Sequence, residues 1–251
     1  MLNNATLEKI QSLKLNGMLV ALQEQQKQPD IEDLNFMERL GLLIDREITE
    51  REDAKLKTRL KKAKLKQTAA MEDIDYKKSR GLDKSLMLQL SACKWIKEHH
   101  NILVAGPTGT GKTYIACALA HKACLEGYTA QYVRLPRILP ELIIAKGDGS
   151  YGKRMSELAR TDVLILDDFG LITFTQEQRK DLLEILDDRH NQKATIITSQ
   201  LPVKLWHENI NDATLADAIL DRLIHNSYRV ELKGESMRKL CSKLAKEVKM
   251  P

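Results

Sequence analysis

Nothing in these 251 residues approaches a run of 18 apolar side chains, and the first 30 hold no apolar stretch of the signal-peptide kind. The expectation is a cytoplasmic protein with no membrane span. Cysteine is scarce, and Cys93, Cys117, Cys124 and Cys241 show no CxxC pairing, which argues against a disulfide scaffold and for reduced thiols. His99 and His100 stand together without a partner cluster, so they read as a polar helix end rather than a metal site. Aromatics make up only 4% of the chain, yet the 43% hydrophobic content is enough for a sizeable core. The length allows one large domain or a core with a small appendage. A net charge of +5 mildly favours an acidic partner, although where the charge sits matters more than its sum.

What the chain does have is GPTGTGKT, running from Gly106 to Thr113. A short apolar run, 101–105, precedes it, and Tyr114 to Ala120 follow at helical spacing. A buried strand, a tight glycine turn and a helix starting at Lys112 are therefore predicted. Glycines at 106, 109 and 111 let the backbone curl around an anion with its N–H groups inward, and the helix N-terminus adds partial positive charge there. Lys112 can reach the β- and γ-phosphates, and the Thr113 hydroxyl can complete a Mg²⁺ shell. Gly106, Pro107, Thr108, Gly109, Thr110, Gly111, Lys112, Thr113 and Tyr114 are the candidate nucleotide-binding residues, with ATP and Mg²⁺ as the implied ligands.

Residues 1–70 read as all helix, either a small domain or an arm that packs on a neighbour. Leu7, Ile10, Leu13, Met18 and Leu22 give an imperfect apolar face, interrupted by Gly17. After the Pro29-Asp30 break, Asn35 with Glu38 resembles a capping box, and Leu40, Leu43, Ile44 and Ile48 continue one face. The helix is predicted to continue through KLKTRLKKAKLK, Lys55 to Lys66, in which seven of twelve residues are basic and none is acidic. Charge runs are usually solvated faces. Here like charges at i,i+4 repel unless a polyanion neutralises them, which favours nucleic-acid phosphates. The apolar stripe is too narrow for an interfacial membrane helix. Lys55, Lys57, Arg59, Lys61, Lys62, Lys64 and Lys66 are thus candidate DNA contacts. Residues 71–82 read as a linker, and Asp83 can cap a helix running to about Lys97.

From there strands (130–134, 162–166, 194–198) alternate with helices, which predicts a parallel sheet covered on both faces. Ligands in such sheets bind at the carboxyl ends of the strands, where the loop, Asp167 and Ser199 all fall. Residues 136–160 are read as two short helices around a flexible basic elbow, making Lys146, Lys153 and Arg154 further candidate DNA contacts. VLILDD ends in paired carboxylates about 55 residues beyond the loop. Asp167 can hold Mg²⁺ through water, and Asp168 can orient or deprotonate the attacking water. Asp168 is one methylene shorter than glutamate, so hydrolysis is expected to be slow. Thr198-Ser199-Gln200 offers polar groups between the two. Arg222, on a helix from Ala213 to His225, and Arg238, opening a final helix, are the cations that charge developing on the γ-phosphate would need.

GPTGTGKT, LILDDFG, ITSQLP, the stretch Asp221 to Ile224 and GESMRK together closely resemble the IstB family, over essentially the whole chain. These are ATP-binding AAA+ helper proteins of insertion-sequence transposition, related to the helicase loader DnaC and the initiator DnaA. The resemblance implies an AAA+ P-loop core over 83–251, with a small all-helical N-terminal domain before it and a reduced C-terminal helical lid. It implies ATP-driven homo-oligomers with nucleotide-bridged interfaces. Arg222 resembles the arginine finger offered in trans, Arg238 the sensor-2 arginine acting in cis and Ser199 the sensor-1 position, with Gln200 beside it as the alternative. Residues 136–160 resemble the initiator-specific insertion that lines the DNA path. The implied partners are double-stranded DNA and an IstA-like transposase, with no membrane. A helicase loader, a P-loop small-molecule kinase and a non-catalytic ATP-gated scaffold are the competing readings. Arg222 and Arg238 speak against the kinase.

Overall fold

The computed structural model describes residues 2–76 and 80–237. The chain divides into two compact units, Met1–Thr58 and Arg59–Pro251. The division falls inside a helix rather than after residue 70, and the described part of 71–82, read as linker, belongs to the second unit.

The first unit holds α1 (Leu2–Ser12), α2 (Asn16–Gln25), a 3-10 turn (Pro29–Asp33) and most of α3 (Phe36–Ala63). The expected capping box starts α3: the Asn35 N–H donates to Glu38 Oε2 at 2.8 Å, and the Glu38 N–H donates to Asn35 Oδ1 at 3.0 Å. Gly17 is where α2 and α3 meet. A Cβ there would lie 2.6 Å from Glu47 Cα, so only glycine allows the approach. The Glu47 carboxylate then accepts from the Gly17 and Met18 N–H groups at the start of α2, where the helix dipole favours an anion. Of the apolar face read along α3, Leu40 and Leu43 are half-buried, whereas Ile44 and Ile48 are exposed. The helix stops at Ala63, short of Lys66, and Lys64 takes a left-handed conformation.

The second unit continues with α4 (Lys84–Ser91), capped as expected by Asp83, then α5 (Lys94–Lys97), β1 (Asn101–Ala105), α6 (Lys112–Leu125) and β2 (Ala130–Arg134). The single helix expected over 84–97 is broken: Cys93 is left-handed and the Trp95 indole N–H turns back to the Leu90 carbonyl. Next come α7 (Leu135–Asp148), α8 (Tyr151–Arg160), β3 (Val163–Phe169), α9 (Gln176–Arg189) and β4 (Ala194–Ser199). A 3-10 turn, α10 (Trp206–Ile210), α11 (Ala213–Ile224) and β5 (Ser227–Glu231) follow. Segment 136–160 is two helices hinged at Gly149, as expected. Lys146, Lys153 and Arg154 lie within those helices, not in the elbow.

All five strands are parallel, in the order β2-β3-β4-β1-β5. Leu103, Leu164, Leu166 and Ile197 join α7, α8, α9 and α11 in one apolar cluster. Their alternates Ile102, Val104, Ile165 and Ile196 are equally buried and face the other way, where α6 packs across β1 to β4. This is the doubly covered parallel sheet the sequence predicts. The fifth strand, β5, escapes sequence reading because SYRVE is a short edge strand with one buried side chain, Val230. The chain leaving β1 passes over the α6 face of the sheet and the chain leaving the adjacent β4 passes over the α11 face, which opens a crevice at their carboxyl ends. The final helix expected from Arg238, with Cys241, lies outside the described residues.

Candidate nucleotide site

The crevice is occupied by the glycine loop. Gly106 leaves β1 with φ +152°, and a Cβ would come within 2.4 Å of the Leu232 carbonyl oxygen, so the chain can turn there only with glycine. The loop closes on itself through Lys112, whose ammonium donates to the carbonyls of Gly106 at 2.7 Å and Pro107 at 2.8 Å. The Met237 N–H donates to the Gly109 carbonyl, bringing the end of the described chain onto the loop. A cleft of about 630 Å³ opens beside these residues, lined by Thr108, Gly109, Gly111, Lys112, Thr113 and Tyr114 among others. That volume suits a nucleotide-sized ligand.

Asp167 and Asp168 arrive from β3, across a register shift against β4 between Leu166 and Phe169. Bulges of this kind re-aim side chains at sheet ends. Asp167 is fully buried and accepts from three hydroxyls: Thr113 at 3.0 Å, Tyr132 and Thr198. The Tyr132 phenol is pushed up from its ordinary pKa, first by burial and then by this carboxylate. The Thr113–Asp167 pair supplies hard oxygen donors at the head of the loop, a set that fits a Mg²⁺ ion. Asp168 has φ +65°, a left-handed conformation that Asp and Asn tolerate better than most residues. Its Oδ2 accepts from Arg134 Nε at 2.8 Å and Nη2 at 2.6 Å, and its N–H donates to Thr198 Oγ1. The carboxylate in turn raises the Arg134 pKa.

Ser199 does not line the cleft. Its hydroxyl is buried, donating to the Phe169 carbonyl and accepting from the Leu201 N–H. Gln200 does line it, and its Oε1 accepts from Thr108 Oγ1 at 2.8 Å. Arg222 sits at the end of α11, away from this cleft, with Nε donating to Asp187 Oδ1 at 2.6 Å. Arg238 lies outside the described residues.

The candidate DNA contacts divide. Lys57, Lys61, Lys62, Lys64 and Lys153 are exposed. Lys55 pairs with Glu52, Lys146 with Glu177 and Asp181, and Arg154 with Glu157. Arg59 donates to the Cys124 carbonyl, and Lys66 lies in the cleft beside Asp167. Sequence reasoning missed Arg134, which looks like an ordinary polar strand end, and Tyr132, which looks like a β-propensity residue. It also missed Arg80, a buried side chain in the supposed linker whose guanidinium donates to the Thr110 carbonyl of the loop.

A family model described as IstB-like ATP binding protein matches residues 8–245. A putative insertion sequence ATP-binding protein of Sinorhizobium fredii is 47% identical over 239 residues, covering 95% of this chain and 98% of that protein. The solved structure of AMPPCP-bound DnaA from Aquifex aeolicus matches with a TM-score of 0.57 at 17% identity, over 75% of this chain and 58% of that one. The crystal structure of the DnaC helicase loader matches at 0.55 and 19% identity, over 66% of this chain and 97% of that one. At these identities the two structures speak to the fold alone. It is the AAA+ fold.

Proposed function

The chain belongs to the IstB-like ATP binding protein family, and from that premise we propose that it is an ATP-dependent, DNA-binding AAA+ ATPase of insertion-sequence transposition. In this reading it oligomerises on duplex target DNA, remodels it and recruits a partner transposase. The observation that carries the proposal is the arrangement at the cleft: Lys112 on the loop, the Thr113–Asp167 pair at its head and Asp168 next to Asp167 on β3.

Each group has a part. The loop N–H groups and Lys112 bind the phosphates. Thr113 and Asp167 would hold Mg²⁺, which supplies charge neutralisation on the phosphates when bound. Asp168 orients or deprotonates the attacking water, and Arg134 fixes where its carboxylate points. Gln200, not Ser199, takes the sensing role at the end of β4, because only Gln200 faces the cleft. Arg222 lies away from its own cleft, which suits an arginine offered to a neighbouring subunit. Lys57, Lys61, Lys62, Lys64 and Lys153 are the best DNA-phosphate candidates, being exposed. The paired Lys55, Lys146 and Arg154 would have to give up a carboxylate first.

The test is particle mass by sedimentation, with and without ATP, on duplex and on single-stranded DNA. Large assemblies that need ATP and duplex are expected. Assembly on single strands alone would replace this reading with a helicase loader, and a monomer indifferent to DNA would sink it.

A further inference from the structure

Residues 59–67 are held against α6 at two points. Arg59 Nε donates to the Cys124 carbonyl at 2.9 Å. About two turns earlier on α6, the backbone N–H groups of Lys66 and Gln67 lie beside the Cys117 thiol, where they offset part of the rise that burial gives its pKa. The basic tract therefore does not run out into solvent as a straight helix. It stops at Ala63, turns at Lys64 and lays its last lysine along the helix that begins at the phosphate loop. From there the Lys66 side chain, 41% exposed, lines the nucleotide cleft, with Nζ 3.7 Å from Asp167 Oδ2. That separation is too long for a finished hydrogen bond. The Thr113, Tyr132 and Thr198 hydroxyls that donate to Asp167 are neutral, and Lys66 brings a positive charge to it. An ammonium on a flexible stem, fixed at its backbone and loosely paired in an open cleft, is placed to meet another anion there. A cleft of about 630 Å³ admits a nucleotide but not a duplex.

We propose that Lys66 is a contact to the terminal phosphate of a bound nucleoside triphosphate, with Asp167 as its resting partner, and not a DNA contact. The inference rests on the ATP-site reading above. Lys66 then makes the site prefer a triphosphate over a diphosphate, and it does so from the end of the same tract whose exposed lysines are the DNA candidates.

The measurement is calorimetric binding of ATP and of ADP to the full chain, as wild type and as Lys66→Ala, Lys66→Gln and Lys66→Arg. Loss of the charge should weaken ATP by about tenfold and leave ADP within about twofold. Lys66→Gln should match Lys66→Ala, since it keeps the stem and loses the charge, and Lys66→Arg should retain most of the preference. The salt dependence of duplex binding should not change. An ATP-to-ADP ratio equal to wild type in both neutral variants would overturn the proposal. So would unchanged nucleotide affinities with a shallower salt slope, which would return Lys66 to DNA. Failure of the wild type itself to bind ATP would instead remove the underlying ATP-site reading, and that result is seen before any variant is made.

Discussion

In the first unit the decisive contact joins Gly17 to Glu47, thirty residues apart, and it is a contact of backbone with backbone and of carboxylate with two N–H groups. In the second unit the turn, the lysine and the helix start lie within eight consecutive residues, Gly106 to Thr113, and their spacing alone carries their chemistry. The contrast teaches where sequence is eloquent. Phosphate binding needs a contiguous backbone shape, so it leaves a contiguous motif. Helix-to-helix packing needs only a gap at one position and an anion at another, which in a sequence look like an interruption and a charge.

The largest expected effect tests the motif side. Asp168→Asn should lower phosphate release, with ATP and duplex DNA present, by about 100-fold or more, while ATP affinity stays within about threefold. Asn tolerates the left-handed backbone that Asp168 adopts, so the variant removes charge without adding strain. Unchanged hydrolysis would reduce the Arg134–Asp168 pair to a structural role and leave an ATP-gated scaffold.

A smaller effect tests the packing side. Gly17→Ala puts a Cβ 2.6 Å from Glu47 Cα and 2.7 Å from the Arg46 carbonyl, so α2 and α3 must move apart. A loss of about 1–3 kcal/mol is expected in the first unit, read as faster hydrogen exchange of α2 and α3 amides. ATP binding should not change. Full protection in the variant would mean that the close approach matters less than the capping by Glu47, and the contrast between the units would weaken.

The legible part of the fold follows the same division. Four of the five strands, the start of α6 and the capping box at Asn35 and Glu38 are all written in local pattern, and the structure has each of them. β5 was not visible, because an edge strand with one buried side chain carries no strong alternation. Arg134 and Lys66 were visible as basic residues, yet their carboxylate partners lie 34 and 101 positions away, a relation set by the sheet order and not by spacing. Ser199 misleads for a related reason. Strand alternation and the turn after β4 send its hydroxyl to the Phe169 carbonyl and leave the cleft to Gln200. α3 shows the limit from the other side: Ile44 and Ile48 keep helical spacing with Leu40, yet they are exposed.

The smallest expected effect is a reaction that should hardly occur. Cys93, Cys117 and Cys124 belong to the second unit and are buried. Burial pushes Cys93 and Cys124 up to about 11 and raises Cys117 as well. At pH 8 a thiol with such a pKa is ionised in about one molecule in a thousand, and the thiolate is the form that alkylates. Peptides carrying these three residues should stay almost unlabelled by iodoacetamide in the folded chain and label fully in urea. Because the labels report only on the second unit, Gly17→Ala should leave them unlabelled while its α2 and α3 amides exchange faster. Labelling of Cys117 or Cys124 in that variant would mean that loosening the first unit also opens α6, and the two units would then share one stability.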